Sequence, residues 1–104
     1  MAKIPAYSNN DLKEGQIERI DLDGHEPIAL YKVEGQIYAT EDTCSHGAAS
    51  LAEGDLDGHE IICPFHDGSF DIRTGQVVLP PCTSPIQTFP VTIENGTILI
   101  ELPD

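Results

Sequence analysis

Tryptophan is absent from this chain, aromatic residues make up only 6% of its 104 positions, and 5 lysines and arginines stand against 18 aspartates and glutamates. The resulting formal charge of −13 argues against nucleic acid as a partner, because phosphate binding needs a basic surface. So few aromatics also leave little on which bases could stack. An anionic membrane surface is disfavoured on the same electrostatic ground. No stretch approaches the roughly 20 apolar residues of a membrane span. The opening MAKIPAYSNNDLKEG lacks the long apolar run of an export signal, so the chain is expected to be cytoplasmic. Cysteine is scarce as well. Three of them, an odd number with no export signal, do not suit a disulfide framework and point instead to metal or redox chemistry. There is no internal repeat, low-complexity tract or long linker, and the length is that of one domain.

Helical periodicity is nearly missing too. Ser8 is placed to cap one short turn over residues 9–14, with Gly15 closing it. What is present is strand pattern. Residues 88–93 read TFPVTI, which sets Phe89, Val91 and Ile93 on one face, and TILIEL then sets Ile98, Ile100 and Leu102 on another. Asn95-Gly96 between them is a strong hairpin signal, since both residues tolerate positive φ. A second pair, PIALYKV (27–33) and QIYAT (36–40), turns at Glu34-Gly35. Pro90 lacks a backbone donor and is expected at an edge or bulge. The fold class is therefore all-β, with an antiparallel core.

Residues 43–85 differ. They are rich in Gly, Pro, Ser and Asp, with only short apolar runs such as EIIC (60–63) and SFDI (69–72), so they are expected to need a source of order besides burial. The outer portions, 1–42 and 86–104, would form the β-core, with 43–85 inserted as a smaller lobe. That lobe carries CSHG at 44–47 and CPFHDG at 63–68, a spacing of C-x-H-x16-C-x2-H. Each motif offers one thiolate and one imidazole beside a glycine that permits a tight turn. Cys44, His46, Cys63 and His66 are thus candidate metal ligands. His25 and His59, in turns rich in Asp, Gly and Glu, need no role beyond exposure.

The string YATEDTCSHGAASLAEGDLDGHEIICPFHDGSFDIRTG (38–75) resembles the cluster-binding region of Rieske ferredoxins, in particular those serving bacterial aromatic-ring-hydroxylating dioxygenases of the biphenyl, naphthalene and carbazole type. The outer hairpins resemble the family's β-core, so nearly the whole chain is covered. The resemblance implies one Rieske-type [2Fe–2S] cluster, with Cys44 and Cys63 on the inner iron and His46 and His66 on the outer, solvent-facing one. It implies a monomeric one-electron carrier, not itself an enzyme. Its partners would be a flavin-containing ferredoxin reductase and a terminal oxygenase. The ligand types fit this chemistry. Two thiolates leave the oxidised cluster neutral, whereas four would leave two negative charges and make an added electron costlier.

High-potential relatives carry an extra cysteine in each loop, where this chain has Ala49 and Phe65. They also place a serine and a tyrosine near the cluster, where it has Gly68 and Phe70. Fewer hydrogen bonds to sulfur imply the low end of the range of roughly −150 to +300 mV. Cys82, in LPPCTSP (79–85), resembles part of a proline-rich cover over the cluster and is expected to pack rather than ligate. Phe65, Ala48, Ala49, Pro80 and Pro81, with Asp67 nearby, form a candidate apolar tip for transient docking. Three other readings remain open at this point. A Rieske-like small subunit of a reductase such as nitrite reductase would keep the same ligands. A structural zinc module uses the same residue types, although zinc sites usually group like ligands. A Cys63–His66 nucleophilic dyad would leave Cys44 and His46 without a role.

Overall fold

The computed structural model describes residues 2–44, 49–64, 68–79 and 84–102. These form eleven strands: β1 (Ala2–Ser8), β2 (Ile17–Leu22), β3 (His25–Val33), β4 (Gln36–Glu41), β5 (Asp55–Asp57), β6 (Glu60–Ile62), β7 (Ser69–Asp71), β8 (Val77–Leu79), β9 (Thr88–Phe89), β10 (Val91–Glu94) and β11 (Thr97–Leu102). They assemble into three sheets, ordered β1-β11-β10, β2-β3-β4-β9 and β5-β6-β7-β8, and every strand pairing is antiparallel. The all-β expectation is met.

Strand β3 explains the arrangement. Its Ile28, Ala29, Leu30 and Tyr31 are all buried, so the run is continuous rather than alternating, as expected of a strand covered on both faces. Ile28 and Leu30 face one core with Leu12, Ala39, Phe89, Ile98 and Ile100. Ala29, Tyr31 and Val33 face a second core with Leu51, Ile61, Phe70, Ile72, Ile86 and both described cysteines. One strand thus forms the wall between two hydrophobic compartments.

The middle of the chain departs from expectation in one respect. It buries more than its composition suggested. Leu51, Ile61, Phe70 and Ile72 are fully enclosed, and Leu56, Ile61, Phe70 and Val77 line up across β5–β8 as successive pairing partners. Each three-residue strand sends one apolar side chain inward, too few for an alternation to register in the sequence. The sheet is tied back to the body at Gly75, whose carbonyl accepts the Ile86 N–H at 2.9 Å. Gly75 has φ +80°, and a Cβ there would stand 2.0 Å from the Ile86 carbonyl oxygen.

Two further expectations are corrected. The helical turn shrinks to a 3-10 turn over Asn9–Asp11, and the Ser8 side chain makes no cap bond. Residues 88–93 are not one strand. The chain breaks at Pro90: Phe89 pairs with Ala39 in one sheet, and Val91 pairs with Ile100 in another. A residue without an N–H suits a point where the ladder changes partner, and the Pro90 carbonyl still accepts the Glu101 N–H at 2.9 Å. Past this break Ile93 turns outward, 47% exposed, instead of joining Phe89. Both expected hairpins form, with Glu34 and Asn95 each at φ +53° ahead of glycine.

Candidate metal centre

Cys44 and Cys63 lie in the same compartment, each 2% exposed. They reach it by the same local device. Cys44 donates its backbone N–H to the Ala49 carbonyl at 2.9 Å, and Cys63 donates its own to the Gly68 carbonyl at 2.7 Å. In both cases the partner is the fifth residue onward. One step outside each closure the chain pairs antiparallel, Thr43 with Ser50 and Ile62 with Ser69. Each cysteine therefore stands at the neck of a loop of identical length. The histidine comes two residues after the first cysteine and three after the second.

The two necks are packed against each other's approaches. Gly54, just after the first loop, sits so close to the chain entering the second that a Cβ would lie 2.1 Å from the Ile62 carbonyl oxygen. Beneath the first neck is a buried carboxylate. Asp42 Oδ1 accepts the Ala52 N–H at 2.9 Å, and the Asp42 carbonyl accepts the Leu51 N–H at 2.7 Å. The Arg19 guanidinium stands 3.8 Å from Oδ2. Burying a charge is costly unless it is paired and hydrogen-bonded, and here it is both.

Tyr31 shares the compartment with the cysteines. Its hydroxyl lies 2.7 Å from Thr40 Oγ1, which itself donates to the Glu41 carbonyl at 2.8 Å, so the phenol is the donor. Burial pushes the phenol far above its ordinary pKa. It stays neutral, a packing group with one satisfied polar atom.

Of the four expected ligands, the structure brings together Cys44 and Cys63. His46 and His66 lie outside the described residues, as do Cys82, Ala48, Phe65, Asp67, Pro80 and Pro81. The donors that are described fit an iron–sulfur centre: two thiols, far apart in sequence, buried in a shared compartment. His25 and His59 meet aromatic rings elsewhere, Phe89 at 5.8 Å and Tyr38 at 5.6 Å. Sequence reasoning missed Asp42, Ser50, Glu60 and Ser69 around the necks. A signal existed, since both motifs continue as C-x5-S.

The family model for the Rieske [2Fe–2S] domain matches residues 2–90, and the chain belongs to that family. Its cofactor is a single Rieske-type [2Fe–2S] cluster. Among characterised relatives, the ferredoxin component of the naphthalene 1,2-dioxygenase system of Pseudomonas putida is 46% identical over 99 residues, 95% of this chain and 94% of that protein. The Sphingomonas yanoikuyae B1 ferredoxin superposes with a TM-score of 0.93 at 40% identity, covering 98% of this chain and 100% of that one. The complex of reduced oxygenase and oxidised ferredoxin in carbazole 1,9a-dioxygenase contains a chain that superposes at 0.91 with 44% identity, covering 94% and 91%.

Proposed function

We propose that this chain carries single electrons from a flavin-containing ferredoxin reductase to the terminal oxygenase of an aromatic-ring dioxygenase system, and that Cys44, His46, Cys63 and His66 hold its cluster. The observation that carries this reading is the pair of cysteines, each closed by the same backbone bond to the fifth residue onward and both buried in one compartment, in a chain that matches ferredoxin components along nearly their whole length. The cluster, when bound, supplies reversible one-electron chemistry at the low end of the Rieske potential range. The protein's part is to hold and insulate. Burial of Cys44 and Cys63 excludes water from the sulfur side, and the loop closures keep each cysteine N–H satisfied. The imidazoles of His46 and His66, on the other iron, would be the edge through which the electron passes.

In this reading the chain is a single cytoplasmic, monomeric domain, with the lobe 43–85 inserted between the core portions 1–42 and 86–104. No helix among the described residues is long and apolar enough to cross a membrane. The aromatic substrate belongs to the oxygenase, and this chain does not touch it. A reconstitution assay tests the role. Reductant, reductase and oxygenase should turn over aromatic substrate only when this protein is added. Equal turnover without it would remove the shuttle role, and co-elution with a large reductase on size exclusion would favour the small-subunit alternative. A colourless zinc-loaded protein would dispose of both.

A further inference from the structure

Ser50 and Ser69 occupy equivalent places, each the sixth residue after its loop's cysteine. Each hydroxyl donates to a carboxylate on the limb that enters the same loop. Ser50 Oγ donates to Asp42 Oδ2 at 2.7 Å, and Ser69 Oγ donates to Glu60 Oε2. We propose that these two serine–carboxylate pairs are matched latches that position the two ligand loops, and so set the orientation of the cysteine ligands and the lifetime of the cluster. This rests on the ligand assignment made above.

The physical case is one of leverage. The first neck is held by the cysteine N–H bond, the isolated Thr43–Ser50 pair and the Leu51 N–H to Asp42 carbonyl bond, and the second by the cysteine N–H bond and the β6–β7 ladder. All of these join backbone to backbone and leave the side-chain layer beside each neck to be fixed separately. The latch adds a side-chain tie just outside them. It is charge-assisted, and such bonds are shorter and stronger than neutral ones. It is also screened from water, since Ser69 and Asp42 are both buried. Seen this way, the carboxylates have a reason to be where they are. Asp42 stands two residues before Cys44, and Glu60 three before Cys63.

The latches differ in firmness. Asp42 also accepts the Ala52 N–H and faces Arg19, so three groups from separate points of the chain hold it in one orientation. Glu60 is only half-buried, and its neighbours across the sheet are Asp57 and Asp71, two more carboxylates. Like charges beside it oppose its placement. The Ser50–Asp42 latch is therefore the firmer of the two side-chain ties, and it has more to lose.

The test uses holoprotein purified without oxygen. Cluster loss to an iron chelator is followed by visible circular dichroism, and the reduced state by its electron paramagnetic resonance. Ser50→Ala should speed cluster loss by about tenfold and shift the reduced resonance. Ser69→Ala should act in the same direction with a smaller change. Ser50→Thr, which keeps the hydroxyl, should restore both readouts. Ser50→Ala combined with Asp42→Ala should be no worse than Asp42→Ala alone, because either substitution removes the same bond. Loss rates and resonances unmoved in both alanine variants would overturn the latches while leaving the cluster in place. So would a Ser50→Thr that behaves like Ser50→Ala, or a double variant whose effects simply multiply. A parent protein devoid of iron and sulfide would overturn the ligand assignment and the latches together.

Discussion

Burial of Tyr31 beside the cysteines shows how single side chains are settled here. Its hydroxyl has one partner, Thr40, and that threonine's own hydroxyl donates a hydrogen bond to the Glu41 carbonyl. Tyr31→Phe leaves the ring in place and removes one bond. It should cost about 1 kcal/mol and lower the melting temperature by about 4–8 °C for a domain of this size, as thermal denaturation would show. Two carboxylates tie part of the stability to pH. Glu14 is held below its usual pKa by the backbone N–H groups of Gly35 and Glu34. Asp71 is held below its own mainly by hydrogen bonds from the Arg73 side chain, and also by the Arg73 backbone N–H and charge. Both bind protons more weakly folded than unfolded. Their contribution is therefore complete above the unfolded carboxylate range and disappears as pH falls below about 4 through the depressed folded values. Melting temperature should be flat from neutral pH down to about 5 and then drop, with a shallower drop in Glu14→Gln.

Elements in this chain are positioned by close approach as much as by hydrophobic pattern. At Gly54 there is no room for a methyl group beside the Ile62 carbonyl, one residue ahead of Cys63. Gly54→Ala should destabilise by about 1–3 kcal/mol, as overpacking does, and should accelerate cluster loss even at temperatures where the fold persists. Spectral decay beside a melting curve checks this. The two hairpins were legible in sequence because Asn95-Gly96 and Glu34-Gly35 state their own backbone requirement. The two mixed Cys and His motifs pointed to a metal because such pairs are rare by chance, and the structure adds to them the shared compartment of Cys44 and Cys63. The break at Pro90 was only half legible. Lack of a donor announced an irregularity, but not that the strand leaves one sheet for another there. The three-residue strands β5–β8 gave no periodic signal, since each contributes one inward side chain. Nothing local identified β1 and β2 either, whose bulges at Pro5/Tyr7 and Ile20/Leu22 break their alternation.

For the whole molecule the dominant physical fact is a charge of −13. Such a field reaches about 30 Å at 0.01 M salt and about 8 Å at 0.15 M, so encounter with a basic docking face is steered only at low ionic strength. Reduction of this protein by its reductase should slow by roughly tenfold across that range, as stopped-flow absorbance would register. A rate independent of salt would remove electrostatic steering from the mechanism. The fold itself serves the site. Strand β3 contributes one wall of the second compartment, and Cys63, which follows β6, reaches the same compartment as Cys44.

Iron and acid-labile sulfide in anaerobically purified protein bear most directly on the ligand set. About two irons and two sulfides per chain are expected, falling towards zero in His66→Ala. A parent protein with neither, or a His66→Ala variant that keeps both with an unchanged visible spectrum, would contradict a cluster held by Cys44, His46, Cys63 and His66.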